Sequence, residues 1–348
     1  VNAFRKIVAH KISANFRDAT KIVSASLPAT PNKGAIYVRN VIAGINASDI
    51  NYTNGKYTPG IQPPFDTGFE AVARVVKVGP DVAGLKVGDP VVYTSFGAFS
   101  EFREIDARAV IPIPAVNGDA LTLAVSGLTA SIALQHVAEI KAKETLLVTA
   151  AAGATGSFAV QLGKLEGAHV VGTCSSDDKV AFLKSLGCDR AINYKKEDLA
   201  KVLKTEYPKG IDAVYEGVGG DQFEAAVNNL AVKGRLVVIG FVSGYQDGSG
   251  WAGKGGSSAP LAAKLLGKSA SVRGFFLNNY AREWRPHMEK MIGLIQQGKL
   301  KCMVDPTRFE GLERVPDAIE HMYKGANSGK VIVHIQPDAP VAWSACPT

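Results

Sequence analysis

Residues 44–70, GINASDINYTNGKYTPGIQPPFDTGFE, hold three side chains able to stabilise charge that develops on a substrate oxygen: Asn46, Tyr52 and Tyr57. The stretch contains no cysteine and no histidine, so the thiolate and imidazole ligands of zinc are missing from it. Without a Lewis acid, reduction of an unactivated ketone loses its strongest stabilisation of the forming alkoxide. An alkene conjugated to a carbonyl is the easier substrate. Its β-carbon can accept hydride while negative charge spreads into an enolate, and preorganised hydrogen-bond donors can stabilise that enolate. The candidate donors are Tyr57 in NGKYTP, Tyr52 and Asn46. Each tyrosine also reads as a packing residue with a satisfied hydroxyl, and Asn46 also reads as a turn residue.

A second stretch, LLVTAAAGATGSFAVQLGK, places Ala151, Gly153 and Gly156 at the spacing of a G-x-G-x-x-G turn with alanine in the first place. The second small residue lets backbone approach a pyrophosphate, the third lets the helix pack on its strand, and the helix N-terminus offers N–H groups to the anion. A Gly/Ala-rich turn also arises wherever a helix packs tightly, but here strand, turn, helix and second strand follow in the order a dinucleotide needs. The predicted cofactor set is Gly153, Ala154, Thr155, Gly156, Cys174, Ser175, Ser176, Lys179 and Tyr194. The strand HVVGTC ends in Cys174, Ser175 and Ser176, with no carboxylate at its tip to bind the ribose 2′-hydroxyl of NAD. Lys179 and the serine hydroxyls suit a 2′-phosphate, so NADPH is the expected cofactor. The competing reading makes Ser176 a helix N-cap and Lys179 a solvated residue.

A third stretch, FVSGYQDGSGWAGKGGSSAP at 241–260, has six glycines and reads as a long loop of the kind that covers active sites. Tyr245 and Trp251 would give it apolar surface for a long substrate. A plain surface insertion is the alternative.

These stretches must be positioned by two kinds of element. Residues 1 to about 120 read as β-rich, with apolar runs such as AIYVRNVIAGI and AVARVVKVG cut by turn residues. From Thr145 short apolar strands (TLLVTA, HVVGTC, RAIN, IDAVYE, RLVVIG, SASVRGFFL) alternate with helix-length segments, which calls for an α/β fold with a doubly wound parallel sheet. The predicted domains are 1–122, 123–278 and 279–337, the last returning to the first, with 338–348 as a tail. At 348 residues, 46% hydrophobic and 20% charged, the chain is too long for one core. No run of about 18 apolar residues stands out as a membrane span. Four scattered cysteines form no CxxC pair and no disulfide framework. The net charge of +7 fits a mildly basic surface or an anionic ligand.

The motifs NASDINY (46–52), PPFDTGFE (63–70), LVTAAAGATG (147–156), GTCSSDDK (172–179), FLKSLGCDRAINYK (182–195), RLVVIGFVSGYQ (235–246), KSASVRGFFLN (268–278) and NSGKVIV (327–333) resemble the medium-chain dehydrogenase/reductase family, in its zinc-independent quinone oxidoreductase branch. The resemblance runs to about Ile335 and implies a GroES-like β-rich catalytic domain joined to a Rossmann domain. It implies that Asn46 and Phe69 stand where zinc-dependent relatives have cysteine and histidine ligands, so no metal is expected. It implies further that Gly240, Phe276 and Asn278 flank the nicotinamide and that Asn327, with Lys330, closes the cofactor cleft. Reduction of enones such as 15-oxo-prostaglandins or 2-alkenals is the expected activity, with quinone or ketone reduction as the nearest alternative. A non-enzymatic RNA-binding or lens-protein role stays open, although no basic stripe with aromatics marks a nucleic-acid surface. A small-molecule substrate, no membrane and a homodimer complete the expected partners. A cytoplasmic location is expected, with a peroxisome or mitochondrion as the alternative if the native termini differ.

Overall fold

The computed structural model describes residues 3–248 and 259–338. The chain folds into two compact units, residues 1–125 with 304–348, and residues 126–303.

The first unit is built on the strand Ala35–Gly44, all ten of whose residues are buried. It pairs antiparallel with Glu70–Val78, Phe102–Asp106 and Ile332–His334. A strand covered on both faces has no polar alternation to keep, which is why AIYVRNVIAG reads as a nearly continuous apolar run. Ile36, Val38, Ala71, Ala73, Val75, Val91 and Val110 form the core beneath it. Burying each such branched side chain contributes roughly 1.5–3 kcal/mol. The C-terminal strand registers Ile332 on Gly44 and Val333 on Ala43. That pairing brings the residues just before it to the end of the central strand, where the stretch 44–70 begins.

The second unit is a six-stranded parallel sheet. Counted in chain order within the sheet, its strands run 3-2-1-4-5-6, the doubly wound order in which the crevice opens beside strand 1. Strand 1, Thr145–Val148, leads through the turn at 149–153 into the helix Ala154–Leu165.

The expected return at 279 occurs later. Helix Trp284–Gln296 buries His287, Met288 and Met291 and packs on the helix Leu128–Ile132, so residues 279–303 stay with the second unit. Asp338, expected in the tail, instead accepts hydrogen bonds from the Arg74 guanidinium, 2.7 Å at Nη2. The rest of the tail lies outside the described residues. The helical run Gly118–Ala138 is long and apolar enough to cross a membrane, which strict counting of apolar runs missed, but 83% of its apolar window is buried inside the protein.

Candidate active site

In the first unit the chain leaves the central strand at Gly44 and turns into the short helix Asp49–Thr53. The turn closes reciprocally: Asp49 N–H donates to the Asn46 carbonyl at 3.0 Å, and Asn46 N–H donates to Asp49 Oδ2 at 2.8 Å. Glu70 and Lys330, both fully buried, form an ion pair beside this turn. Asn46 links them, its Nδ2 donating to Glu70 Oε1 at 3.0 Å and its Oδ1 accepting from Lys330 Nζ at 2.8 Å. Glu70 Oε2 accepts from Val125 N–H at 2.8 Å. A Cβ at Gly44 would collide with the Glu70 carboxylate, so glycine is what admits the carboxylate against the strand end. Each buried charge has an ionic and a hydrogen-bonded partner, as burial requires.

Asp49 is less well compensated. One of its buried oxygens, Oδ1, has no hydrogen-bond partner among the described residues. Burial pushes its carboxyl up to about 8, against the opposing pull of the Asn46 N–H and of Lys330.

The two tyrosines separate. Tyr52 is buried with its ring stacked on Phe96, centroids 3.8 Å apart, and edge-on to Phe65 and Phe69 at 5.3 and 5.7 Å. Burial raises its hydroxyl pKa, and Thr58, hydrogen-bonded to it, works the other way. Tyr57 is half-buried in the following turn, its N–H donating to the Asn51 carbonyl at 3.1 Å.

In the second unit the first helical hydrogen bond of Ala154–Leu165 runs from Ser157 N–H to the Gly153 carbonyl at 3.0 Å. The N–H groups of Ala154, Thr155 and Gly156 precede it and point out of the helix start without intrahelical partners. No side chain caps this end. A Cβ at Gly156 would lie 2.5 Å from the Ala150 carbonyl oxygen and 2.7 Å from Ala151 Cα, whereas one at Gly153 would meet only that oxygen, at 3.2 Å. Gly156 is thus the packing glycine and Gly153 the open one. Residues 153–155 are half-buried, so the cradle is accessible. These features fit a dinucleotide pyrophosphate.

At the tip of the strand His169–Cys174, Ser176 Oγ caps the helix Asp177–Ser185 by accepting from Lys179 N–H at 3.3 Å. Ser175 and Lys179 are half-buried there. Asp177 is drawn away, its carboxylate held low by hydrogen bonds from Lys196 and from Asn193 at 2.8 Å. The Cys174 thiol is buried, which raises its pKa. That leaves Cys174 only its backbone to offer, and its carbonyl accepts from Tyr194 N–H at 3.1 Å while the Tyr194 ring is exposed. Phe276 and Asn278 are exposed.

One expectation changes. Tyr245 is no exposed wall: it is buried, edge-on to Phe241 at 4.9 Å, and its hydroxyl accepts from Phe241 N–H at 3.3 Å. The turn Val242–Gly244 folds it back against Gly240, where a Cβ would lie 2.8 Å from that hydroxyl. Asn327 spends an amide N–H on the Gly329 carbonyl at 2.9 Å, which holds the turn before Lys330. Asn46 is tied to Glu70 and Lys330 through one amide N–H and Oδ1. Trp251 lies outside the described residues.

Reading the sequence missed Glu216. It is buried at the end of the strand Ile211–Glu216, with Oε1 accepting from Val218 N–H at 2.9 Å and Gly219 N–H at 3.0 Å, and burial raises its carboxyl pKa. The available signal was one acid ending an apolar strand, IDAVYE, whereas Glu70 opens the apolar strand Glu70–Val78.

Comparison with known proteins matches residues 32–115 to the alcohol dehydrogenase GroES-like domain family and residues 154–296 to the zinc-binding dehydrogenase family. Prostaglandin reductase-3 of Mus musculus is 48% identical over 338 residues, covering 95% of this chain and 89% of that protein. A probable quinone oxidoreductase of Leishmania amazonensis is 46% identical over 334 residues, covering 96% and 98%. Among solved structures, Escherichia coli quinone oxidoreductase complexed with NADPH aligns with a TM-score of 0.83 at 30% identity, covering 95% of this chain and 99% of that one.

The zinc in the second family description does not fit this site. Asn46 offers an amide, Phe69 offers a ring packed 4.9 Å from Phe96, and the nearby carboxylate of Glu70 is already neutralised by the Lys330 ammonium. A dication would have to displace a buried cation and would still lack soft or imidazole ligands.

Proposed function

The chain belongs to the medium-chain dehydrogenase/reductase family, in the branch of the quinone oxidoreductases and prostaglandin reductase-3, and from that footing we propose that it reduces the carbon–carbon double bond of α,β-unsaturated carbonyl compounds with NADPH. The substrates would be enones of the 15-oxo-prostaglandin type and 2-alkenals. The observation that carries this reading is the Lys330–Glu70–Asn46 network with Phe69 beside it: the charge-stabilising groups are hydrogen-bond donors and one buried ammonium, not metal ligands.

NADPH supplies a hydride when bound. Ala154, Thr155 and Gly156 would hold its pyrophosphate through their N–H groups, and Ser175, Ser176 and Lys179 would hold its 2′-phosphate. Tyr57 would donate a hydrogen bond to the substrate carbonyl oxygen, where enolate charge accumulates. Such a donor is worth most when it is already oriented and shielded from water. Lys330 polarises the Asn46 amide through Oδ1, which strengthens whatever the remaining Asn46 N–H donates. Tyr52, stacked among phenylalanines, shapes the apolar wall.

A second reading, quinone reduction, is favoured by the name of the Leishmania relative. NADPH oxidation measured against a 15-oxo-prostaglandin, a 2-alkenal, a quinone and an aryl ketone separates the two, and deuterated NADPH locates the transferred atom. Deuterium on the β-carbon of the enone, with the α-proton from solvent, is the expected result. Deuterium on the carbonyl carbon, or turnover of the quinone alone, overturns the alkene reading. For the cofactor, Lys179→Ala is expected to weaken NADPH by about 1.5–3 kcal/mol and to leave NADH nearly unchanged, and equal losses in binding titrations would remove the 2′-phosphate assignment.

A further inference from the structure

The second unit carries a cluster of ligand-type side chains that the reaction does not use. His136 lies in the helical turn Ala133–Ala138, and Glu283 and His287 lie four residues apart at the start of the helix Trp284–Gln296. The Nε2 atoms of His136 and His287 are 3.0 Å apart, and His136 Nε2 is 3.7 Å from Glu283 Oε2. One ligand atom from each of the three lies within 4.8 Å of the others.

We propose that His136, Glu283 and His287 bind one divalent transition-metal ion of the zinc type, which ties the helical segment ending at Ala138 to the helix Trp284–Gln296. Two nitrogens that share a tetrahedral zinc at ~2.05 Å stand roughly 3.3 Å apart, so the rings need to open by only a few tenths of an ångström. Two histidines and one carboxylate leave a fourth position for water, and the set suits zinc, cobalt or nickel better than calcium or magnesium.

The surroundings of His287 point the same way. Its Nδ1 is 2.7 Å from Ser131 Oγ. With the ring proton on Nδ1 and donated to that oxygen, Nε2 presents its lone pair to the cluster, the arrangement that outer-shell partners impose on metal-bound histidines. Lys290 is a nearby cation that opposes binding, and its Nζ donates to Gln135 Oε1 at 3.0 Å. His136 is exposed and Glu283 half-buried, which gives an ion a path to the buried nitrogen. The simpler account is a hydrogen bond between the two imidazoles with no ion, and it predicts no saturable binding.

The test uses the full chain, stripped with a chelator and exchanged into clean buffer. Zinc is titrated against a chromophoric competitor, and cobalt is followed by its visible absorption. The expected result is one equivalent of zinc bound at or below about 1 µM, with a cobalt spectrum of a four- or five-coordinate site and a higher Tm on zinc addition. His136→Gln sits at the exposed edge, where folding is least at risk, and should weaken binding about 100-fold or more. Ser131→Ala should weaken it about 10- to 100-fold through His287 orientation. Absence of a saturable equivalent, a cobalt spectrum of the hydrated ion, or equal affinity in His136→Gln and the parent overturns the proposal. None of these readouts depends on which substrate the enzyme reduces.

Discussion

Two side chains carry the sharpest residue-scale expectations. Tyr57 is half-buried and sits in a turn, whereas the Tyr52 ring is enclosed by Phe65, Phe69 and Phe96 with its hydroxyl bonded to Thr58. Tyr57→Phe should therefore lower kcat about 10- to 1000-fold with little change in NADPH affinity, while Tyr52→Phe leaves kcat within a few-fold. Steady-state kinetics on the best enone decide it, and the reverse ranking would move the donor role to Tyr52. Asp49 gives a pH signature. Its carboxyl rises from 3.8 to about 8 through burial. Below pH 3.8 it is protonated in both folded and unfolded chains. Between 3.8 and about 8 only the folded chain keeps the proton, so stability falls as pH rises through that window and levels off above it. Asp49→Asn should flatten this slope and stabilise the protein at pH 8 relative to pH 5, as measured by denaturant unfolding at the two values. An unchanged slope would show that the Lys330 charge keeps Asp49 ionised.

The turn from strand 1 into helix Ala154–Leu165 is the element on which cofactor binding rests. Its two glycines look alike in sequence but differ in what surrounds them. A methyl group at Gly156 meets backbone at 2.5 and 2.7 Å, and backbone cannot rotate away, while at Gly153 the approach is 3.2 Å to one oxygen. Overpacking of the first kind costs typically 1–3 kcal/mol. Gly156→Ala should thus lower Tm by several degrees and weaken NADPH, because the helix must lift off its strand. Gly153→Ala should leave Tm nearly unchanged and act on cofactor affinity alone. Thermal melts with and without NADPH distinguish the two, and equal Tm losses would contradict the packing assignment. Tyr245 teaches the same lesson at the far edge of the sheet. In sequence it belongs to a glycine-rich loop, but the turn Val242–Gly244 carries its hydroxyl back to Phe241 N–H.

For the whole molecule, the metal question divides between the two units. In the first, Lys330 neutralises Glu70 and no cysteine or histidine is present in the stretch 44–70, so the proposed chemistry there would proceed through donors and charge. Exhaustive chelation should leave kcat intact, measured as NADPH oxidation before and after treatment, and a proportional loss of turnover with metal content would refute the donor mechanism. In the second unit, ion removal from His136, Glu283 and His287 should appear in Tm and not in turnover.

Local pattern determined a great deal. Alternating apolar strands and helical segments after Thr145 call for a parallel sheet, because parallel strands need crossover helices and a sheet covered on both faces has continuously apolar strands. The spacing of Ala151, Gly153 and Gly156 marks the expected cradle, and 44–70 holds no cysteine or histidine that could serve as a zinc ligand. These are properties of contiguous residues. The tertiary structure alone decided what joins distant ones. Asn46 meets Lys330 across 284 positions because the last strand adds to the central one, and His136 meets His287 across 151 because the helix after the sheet packs back beside Leu128–Ile132. The placement of 279–303 in the second unit, the burial of Tyr245 and the separation of Tyr52 from Tyr57 have the same cause. Each depends on which surfaces the sheets bring together, and a side chain's neighbours in space leave no periodic trace along the chain.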